Sequence, residues 1–305
     1  MKIIKLKGYN DFESSCYIWD KVEKPVGVLQ IIHGMQEHAK RYNDFAKFLN
    51  KKGYIVFASD LRGHGITATS NGLPFGYSDG DIFMEIVNDQ IIFTDYLIKN
   101  YKLPVSILGH SFGSFITQRY IIENGFKIKN VILSGSTYTN SFQYKAGYIL
   151  ASILKFIGRK KKPAKLIEKM SINGYGKKFK NGNWLSRDEE NWNIYTQDSL
   201  CGITFPNNFY YSFFKNARKN YNNLKNIPFY LPILLISGTD DPVSGKNGVV
   251  KLFFTYGKAG KKVYLKSYLG ARHELLNEIN KSEVYEALFQ FIDTDKINYI
   301  SIGVA

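Results

Sequence analysis

Short apolar runs alternate with stretches of helical periodicity along most of this chain. PVGVLQIIHG (25–34) is a continuous apolar run ending in Gly, and the pattern predicts a buried strand. HAKRYNDFAKFLNKKG (38–53) places Tyr42, Phe45, Ala46 and Leu49 on one helical face and stops at Gly. YIVFASDL (54–61) predicts the next strand. Residues 81–101 carry Ile82, Ile86, Phe93 and Leu97 at helical spacing. VSILGH (105–110) then predicts a strand, SFGSFITQRYIIENG (111–125) a helix closed by Asn-Gly, and NVILSGS (130–136) a strand. After a long interruption come the strand PILLISG (232–238), a helical stretch (244–258), the strand KVYLKSYLG (262–270) and a helix over 282–293 opened by Ser282. At the start, MKIIKLKGYN alternates Lys with apolar residues and predicts an edge strand.

Continuous apolar strands separated by helices imply a mostly parallel sheet covered on both faces, an α/β class. Residues 137–230 break this rhythm. They are aromatic and Asn-rich, they lie between two strands of one sheet, and they are too long for a plain loop. The expected organisation is a core of residues 1–136 and 231–305 with a cap of short helices inserted over 137–230.

With 305 residues, 44% apolar and 22% charged, the chain is large enough for a sizeable core and ordinary in its balance. It has no apolar run of 18 residues, so no spanning helix is expected. The N-terminal stretch lacks the apolar centre of a signal peptide. Cys16 and Cys201 show no metal-ligand spacing. These features predict a cytoplasmic protein, peripheral to the membrane at most. The net charge of +15 changes the picture in one place: residues 137–230 hold 16 Lys/Arg against five Asp/Glu. The run RKKK (159–162) follows the apolar stretch YILASILKFI (148–157), a pairing suited to an anionic bilayer. Charge alone hints at nucleic acid, but no recognition motif accompanies it, and no nucleic-acid partner is expected.

The candidate chemistry begins at VSILGHSFGS (105–114). Ser111 is flanked by Gly109 and Gly113 in a G-x-S-x-G pattern at a predicted strand-to-helix corner. Such a corner lifts a serine hydroxyl clear of the backbone for nucleophilic attack. A serine hydroxyl needs a base to take its proton, and the base needs an orienting carboxylate. In an open parallel sheet these groups gather beyond the C-terminal strand ends. PILLISG is followed by TDDPVSG, which offers Asp240 and Asp241. KVYLKSYLG is followed by ARHELLNE, which offers His273. His33 and His64 sit in His-Gly turns, where a ring hydrogen-bonds its loop. His110 is on the wrong side of the turn, and His38 starts a helix. An oxyanion hole needs two N–H donors. Phe112, next to Ser111 at a helix N-terminus, supplies one, and Met35, after His33-Gly34, supplies the other. Nine aromatic residues of the insertion (Tyr144, Tyr148, Phe156, Trp184, Trp192, Phe209, Tyr210, Phe213, Phe214) are candidates for an acyl pocket.

IIHGMQEHAKRYNDFAKFL, SDLRGHG, LGHSFGS, ISGTDDPV and GARHELLNE resemble, in order, the motifs of the monoacylglycerol lipase/lysophospholipase group of α/β-hydrolases, which shares a serine aminopeptidase-like domain. The fragment NWLSRDEENWNIYTQDSLCG (183–202) is similar to the bacterial members, with Asp198-Ser199 where they usually carry Asp-Pro. The resemblance implies an α/β-hydrolase fold, Ser111 as nucleophile, Asp241 as acid, His273 as base, and Met35 and Phe112 as oxyanion donors. It implies hydrolysis of a carboxylic ester of a small lipid, without metal or cofactor. An aminopeptidase or an acyltransferase would use the same triad. A non-catalytic binding module of this fold would typically lack a triad member, and none is missing here.

Overall fold

The computed structural model describes residues 1–297. Its centre is an eight-stranded sheet of β1 (Lys2–Lys7), β2 (Glu13–Trp19), β3 (Gly27–Ile32), β4 (Tyr54–Ser59), β5 (Val105–His110), β6 (Val131–Ser134), β7 (Ile233–Gly238) and β8 (Val263–Tyr268). The spatial order is β1-β2-β4-β3-β5-β6-β7-β8. Strand β2 runs antiparallel to both neighbours, and every pair from β4 to β8 is parallel. The helices are α1 (Asn43–Lys51), α2 (Gly65–Ser70), α3 (Ile82–Tyr101), α4 (Phe112–Asn124), α5 (Phe142–Leu154), α6 (Lys165–Met170), α7 (Ile172–Gly176), α8 (Glu189–Gln197), α9 (Asn207–Ala217), α10 (Gly245–Lys258) and α11 (Lys281–Thr294).

The central strands are apolar throughout because both faces are covered. Val131 and Leu133 of β6, with Ile233 and Leu235 of β7, point into the apolar layer shared with α3, α4 and α10. Ile132, Leu234 and Ile236 alternate with them and enter the layer shared with α1 and α11. The sequence pattern therefore matches a three-layer α/β/α arrangement. It missed β2, whose ESSCYIW is buried after Glu13. Small polar residues at its start carry no strand signal, and pairing with β1 and β4 makes them a strand. The helix expected over 38–53 starts with a 3₁₀ turn at Ala39–Tyr42 before α1.

Between β6 and β7 the chain runs through α5 to α9. Ala151, Ile167, Phe205, Phe209 and Phe213 from this segment join one apolar cluster with Phe112 and Phe115 of α4. The segment is thereby packed over the C-terminal end of β5. The segment also exposes apolar side chains: Phe142 is 83% and Phe156 91% exposed, and Ile149, Ile153, Ile157 and Met170 are exposed as well. Among the described residues, no helix is long and apolar enough to cross a membrane.

Candidate active site

Strands β3 and β5 are adjacent and parallel, with Ile32 opposite Gly109. The loop after β3 and the turn after β5 therefore meet. Ser111 occupies that turn with φ 50° and ψ −116°, a strained conformation for a residue with a side chain. Its N–H donates to the Ser134 carbonyl at 2.9 Å, tying the turn to the end of β6. The flanking glycines are required by space. A Cβ on Gly113 would lie 2.6 Å from the His33 carbonyl oxygen and overlap that of Ile32. One on Gly109 would lie 2.6 Å from the Gly113 carbonyl oxygen and overlap Thr117 Oγ1. The G-x-S-x-G spacing is thus the sterics of α4 crossing β3 and β5.

The loop after β3 is equally close, since a Cβ on Gly34 would lie 3.3 Å from Ser111 Cβ. His33 sets its course. The ring Nε2 accepts from Leu61 N–H at 3.0 Å, and Nδ1 donates to the Gly34 carbonyl at 2.8 Å. Burial pushes its pKa down to about 3, so it stays neutral as this pairing demands. His64 behaves alike, donating to the Arg62 carbonyl at 2.9 Å, with burial pushing its pKa down to about 3.

Beyond β7 and β8 the other two candidates are in direct contact. His273 Nδ1 donates to Asp241 Oδ1 at 3.0 Å. Asp241 also accepts from Ser244 Oγ at 2.6 Å and Val243 N–H at 2.8 Å. Burial opposes the carboxylate, yet His273 and these donors hold its pKa below the ordinary value. Burial likewise opposes the imidazolium of His273, and Asp241 outweighs it, so this histidine is raised above 6.5. Asp240 is exposed, its carboxylate taking a hydrogen bond at 3.3 Å from Thr239. The His110 ring lies 4.8 Å from that of His273, and Trp184 of the inserted segment covers the His273 ring from 5.1 Å. Burial pushes His110 down to about 4.

Ser111, His273, Met35 and Phe112 all line one cavity of about 850 Å³. Asp241 stands behind His273. Of the nine aromatic residues of the insertion, Tyr144, Trp184, Tyr210, Phe213 and Phe214 line the cavity, with Phe115, Leu150 and Ile167. Phe209 packs beneath them against Phe112 and Phe205. Phe156 points outward, and Tyr148 stacks on Tyr211. Trp192 stacks on Tyr195.

Sequence reading missed a buried ionic group beside the site. Arg41 donates to Glu274 at 2.6 and 2.7 Å and to Glu37 at 2.8 Å. Nothing local in the sequence announces these partners of Arg41. Among the described residues, His38, Asp198 and Cys201 bring potential metal-ligand atoms within 4.8 Å of one another. His38 and Asp198 are already hydrogen-bonded at 2.8 Å, joining the start of the α1 region to the inserted segment.

A mostly parallel sheet carrying a strained serine turn, with a histidine–carboxylate pair beyond later strands, defines an α/β-hydrolase. The chain belongs to the Hydrolase_4 family (serine aminopeptidase, S33), whose profile matches residues 23–280. It is 25% identical over 274 residues to Phospholipase YtpA of Bacillus subtilis (strain 168), covering 90% of this chain and 97% of that one. It is 28% identical over 286 residues to monoglyceride lipase of Homo sapiens, covering 91% and 84%. The crystal structure of a highly thermostable carboxyl esterase from Bacillus coagulans, in complex with glycerol, superposes with a TM-score of 0.87 at 24% identity, covering 96% and 97%.

Proposed function

We propose that this carboxylic ester hydrolase cleaves the acyl ester of monoacylglycerols or lysophospholipids through a Ser111–His273–Asp241 triad. Ser111 Oγ attacks the ester carbonyl as His273 takes its proton. The oxyanion rests on the N–H groups of Met35 and Phe112. His273 then protonates the leaving alcohol, and a water activated by the same imidazole releases the fatty acid. The hydrogen bond from His273 to Asp241 carries this reading, because it leaves Nε2 free to act as the base. The aromatic and aliphatic cavity supports an acyl chain, as do the names of the monoglyceride lipase and phospholipase relatives.

In this reading residues 137–230 form the cap. Its exposed Phe142, Phe156 and Ile157, beside Arg159, Lys161 and Lys162, meet an anionic bilayer from which substrate enters. A peptidase of this fold would need a free carboxylate for the substrate ammonium. Glu37 and Glu274 line the cavity, but Arg41 engages both.

The test is a p-nitrophenyl ester series from C2 to C16, then monoacylglycerol and lysophosphatidylcholine, for wild type and Ser111→Ala. A fluorophosphonate probe should label the wild type alone, and kcat should fall about 10⁴–10⁶-fold in the variant. Equal labelling of both would remove Ser111 from the mechanism.

A further inference from the structure

Gln36 follows Met35 in the loop after β3, and the inserted segment holds it at three points. Its Nε2 donates to Glu168 Oε1 at 2.9 Å. Its carbonyl accepts from Gly202 N–H at 2.9 Å and from the Tyr195 hydroxyl at 3.3 Å. These partners come from α6, from the residues after α8, and from α8 itself. The core grips the same loop from the other side. Glu37 Oε1 accepts from the Gly34 N–H at 2.5 Å and from the Tyr42 hydroxyl at 2.9 Å. Met35 therefore lies between two tethered residues.

The tether on Gln36 holds an unfavourable backbone. Its φ is 58°, in the left-handed region, which is disfavoured for any residue with a Cβ. Such a conformation persists where the surroundings over-determine it, and such residues gather at functional sites. Gln36 is 6% exposed and Glu168 5%. Among the described residues Glu168 has no cationic partner. Its Oε1 takes Gln36 Nε2, Phe205 N–H at 3.0 Å and the Tyr210 hydroxyl at 2.8 Å. A buried carboxylate satisfied only by hydrogen bonds is sensitive to the loss of any one donor.

We infer that Gln36 is a positioning residue for the oxyanion hole: the cap, acting through Glu168, Tyr195 and Gly202, fixes Gln36 and thereby aims the Met35 N–H at the developing oxyanion. Misaiming one of two preorganised donors is expressed in the transition state and hardly at all in substrate binding. The inference rests on the proposed roles of Ser111 and Met35.

The test uses the full chain with Gln36→Gly, Gln36→Glu and the swap Gln36→Glu/Glu168→Gln. Glycine adopts φ 58° freely, so Gln36→Gly removes the side-chain tether without adding strain. It should lower kcat on p-nitrophenyl butyrate by about tenfold with KM within about twofold. Inhibition by a trifluoromethyl ketone should weaken by a similar factor, because its hemiketal oxygen needs the same two donors. Gln36→Glu sets two carboxylates face to face and should be the worst of the three. The swap should recover kcat to within about threefold of wild type. There the residue 168 side chain must turn, so that its amide nitrogen, in the place of Oε2, donates to residue 36 while its carbonyl still accepts from Phe205 and Tyr210. Wild-type kcat and ketone affinity in Gln36→Gly would overturn the inference, as would a swap no better than Gln36→Glu. Fluorophosphonate labelling at Ser111 separates the levels. Labelled wild type with indifferent variants overturns this inference alone, whereas unlabelled wild type removes the reading beneath it and the inference together.

Discussion

Arg41 donates through both terminal nitrogens to the two carboxylate oxygens of Glu274, one residue beyond His273. A third bond from the same guanidinium reaches Glu37 in the loop after β3. One buried cation thus joins the loop proposed to hold the oxyanion to the loop that carries the proposed base.

Arg41→Ala should cost about 3–5 kcal/mol of stability, since it strands two buried carboxylates. The pH dependence has a definite sign. Burial opposes the Glu274 carboxylate, but Arg41 holds its pKa down to about 2 from 4.5. Its contribution is complete above pH 4.5 and is lost as the pH falls toward about 2. Urea melts of the wild type should weaken across that window. In Arg41→Ala the strongest partner of the Glu274 carboxylate is gone and the donors Asn277 and Asn191 are left to oppose burial, so its pKa should rise and the loss of stability should begin at higher pH. A variant with wild-type midpoint and wild-type acid limb would show the group to be energetically idle.

The two neighbouring aspartates should separate sharply. Asp241 is 3% exposed and bonded to His273, whereas Asp240 is exposed. Asp241→Asn should lower kcat by about 10⁴-fold through the wrong tautomer of His273, and Asp240→Asn by no more than about twofold. His273 acts unprotonated, so kcat/KM should fall as the pH drops through its pKa. Asp241 raises that pKa above 6.5, against burial. The acid limb should therefore lie above 6.5 in the wild type and shift downward in Asp241→Asn, where burial dominates. Losses in the reverse order would make Asp240 the orienting acid.

Gly113→Ala should destabilise the fold through overlap with two carbonyl oxygens that cannot retreat, since Ile32 ends β3 and the next residue, His33, is fixed by its ring hydrogen bonds. The expected cost is about 1–3 kcal/mol, read from denaturant midpoints. An unchanged midpoint would mean that α4 can slide along the sheet, against the close packing described above.

The basic run of the proposed cap should matter only to membrane substrates. Changing Arg159, Lys160, Lys161 and Lys162 together to Gln should weaken co-sedimentation with anionic vesicles at low salt. Each basic group near such a surface contributes roughly 1 kcal/mol, within a Debye length. Lys160 already faces Asp79 at 3.4 Å, so the other three should carry most of the effect. Turnover of p-nitrophenyl butyrate should stay within about twofold. Equal binding of wild type and variant would reduce the run to a solvated surface.

The local pattern of the chain was sufficient for the parallel part of the sheet, because strands buried on both faces must be apolar throughout and helices between them must be amphipathic. It was sufficient for Ser111 too, because a sharp turn under a crossing helix demands glycine at both flanks, and Gly109 and Gly113 stand in plain view. Strand ends then directed attention to Asp240, Asp241 and His273. The resemblance already pointed to Asp241, and the tertiary structure supplies the physical reason: neighbouring residues after a strand leave it in different directions, and Asp241 is the one that meets the imidazole. Tertiary structure alone turned ESSCYIW into an inner strand, through partners on both sides. It alone paired Arg41 with Glu274 across 233 positions and Gln36 with Glu168 across 132. Periodicity reports which way a residue faces within its own element. A buried charge or amide is set by what arrives from elsewhere in the chain, and no local spacing encodes that arrival.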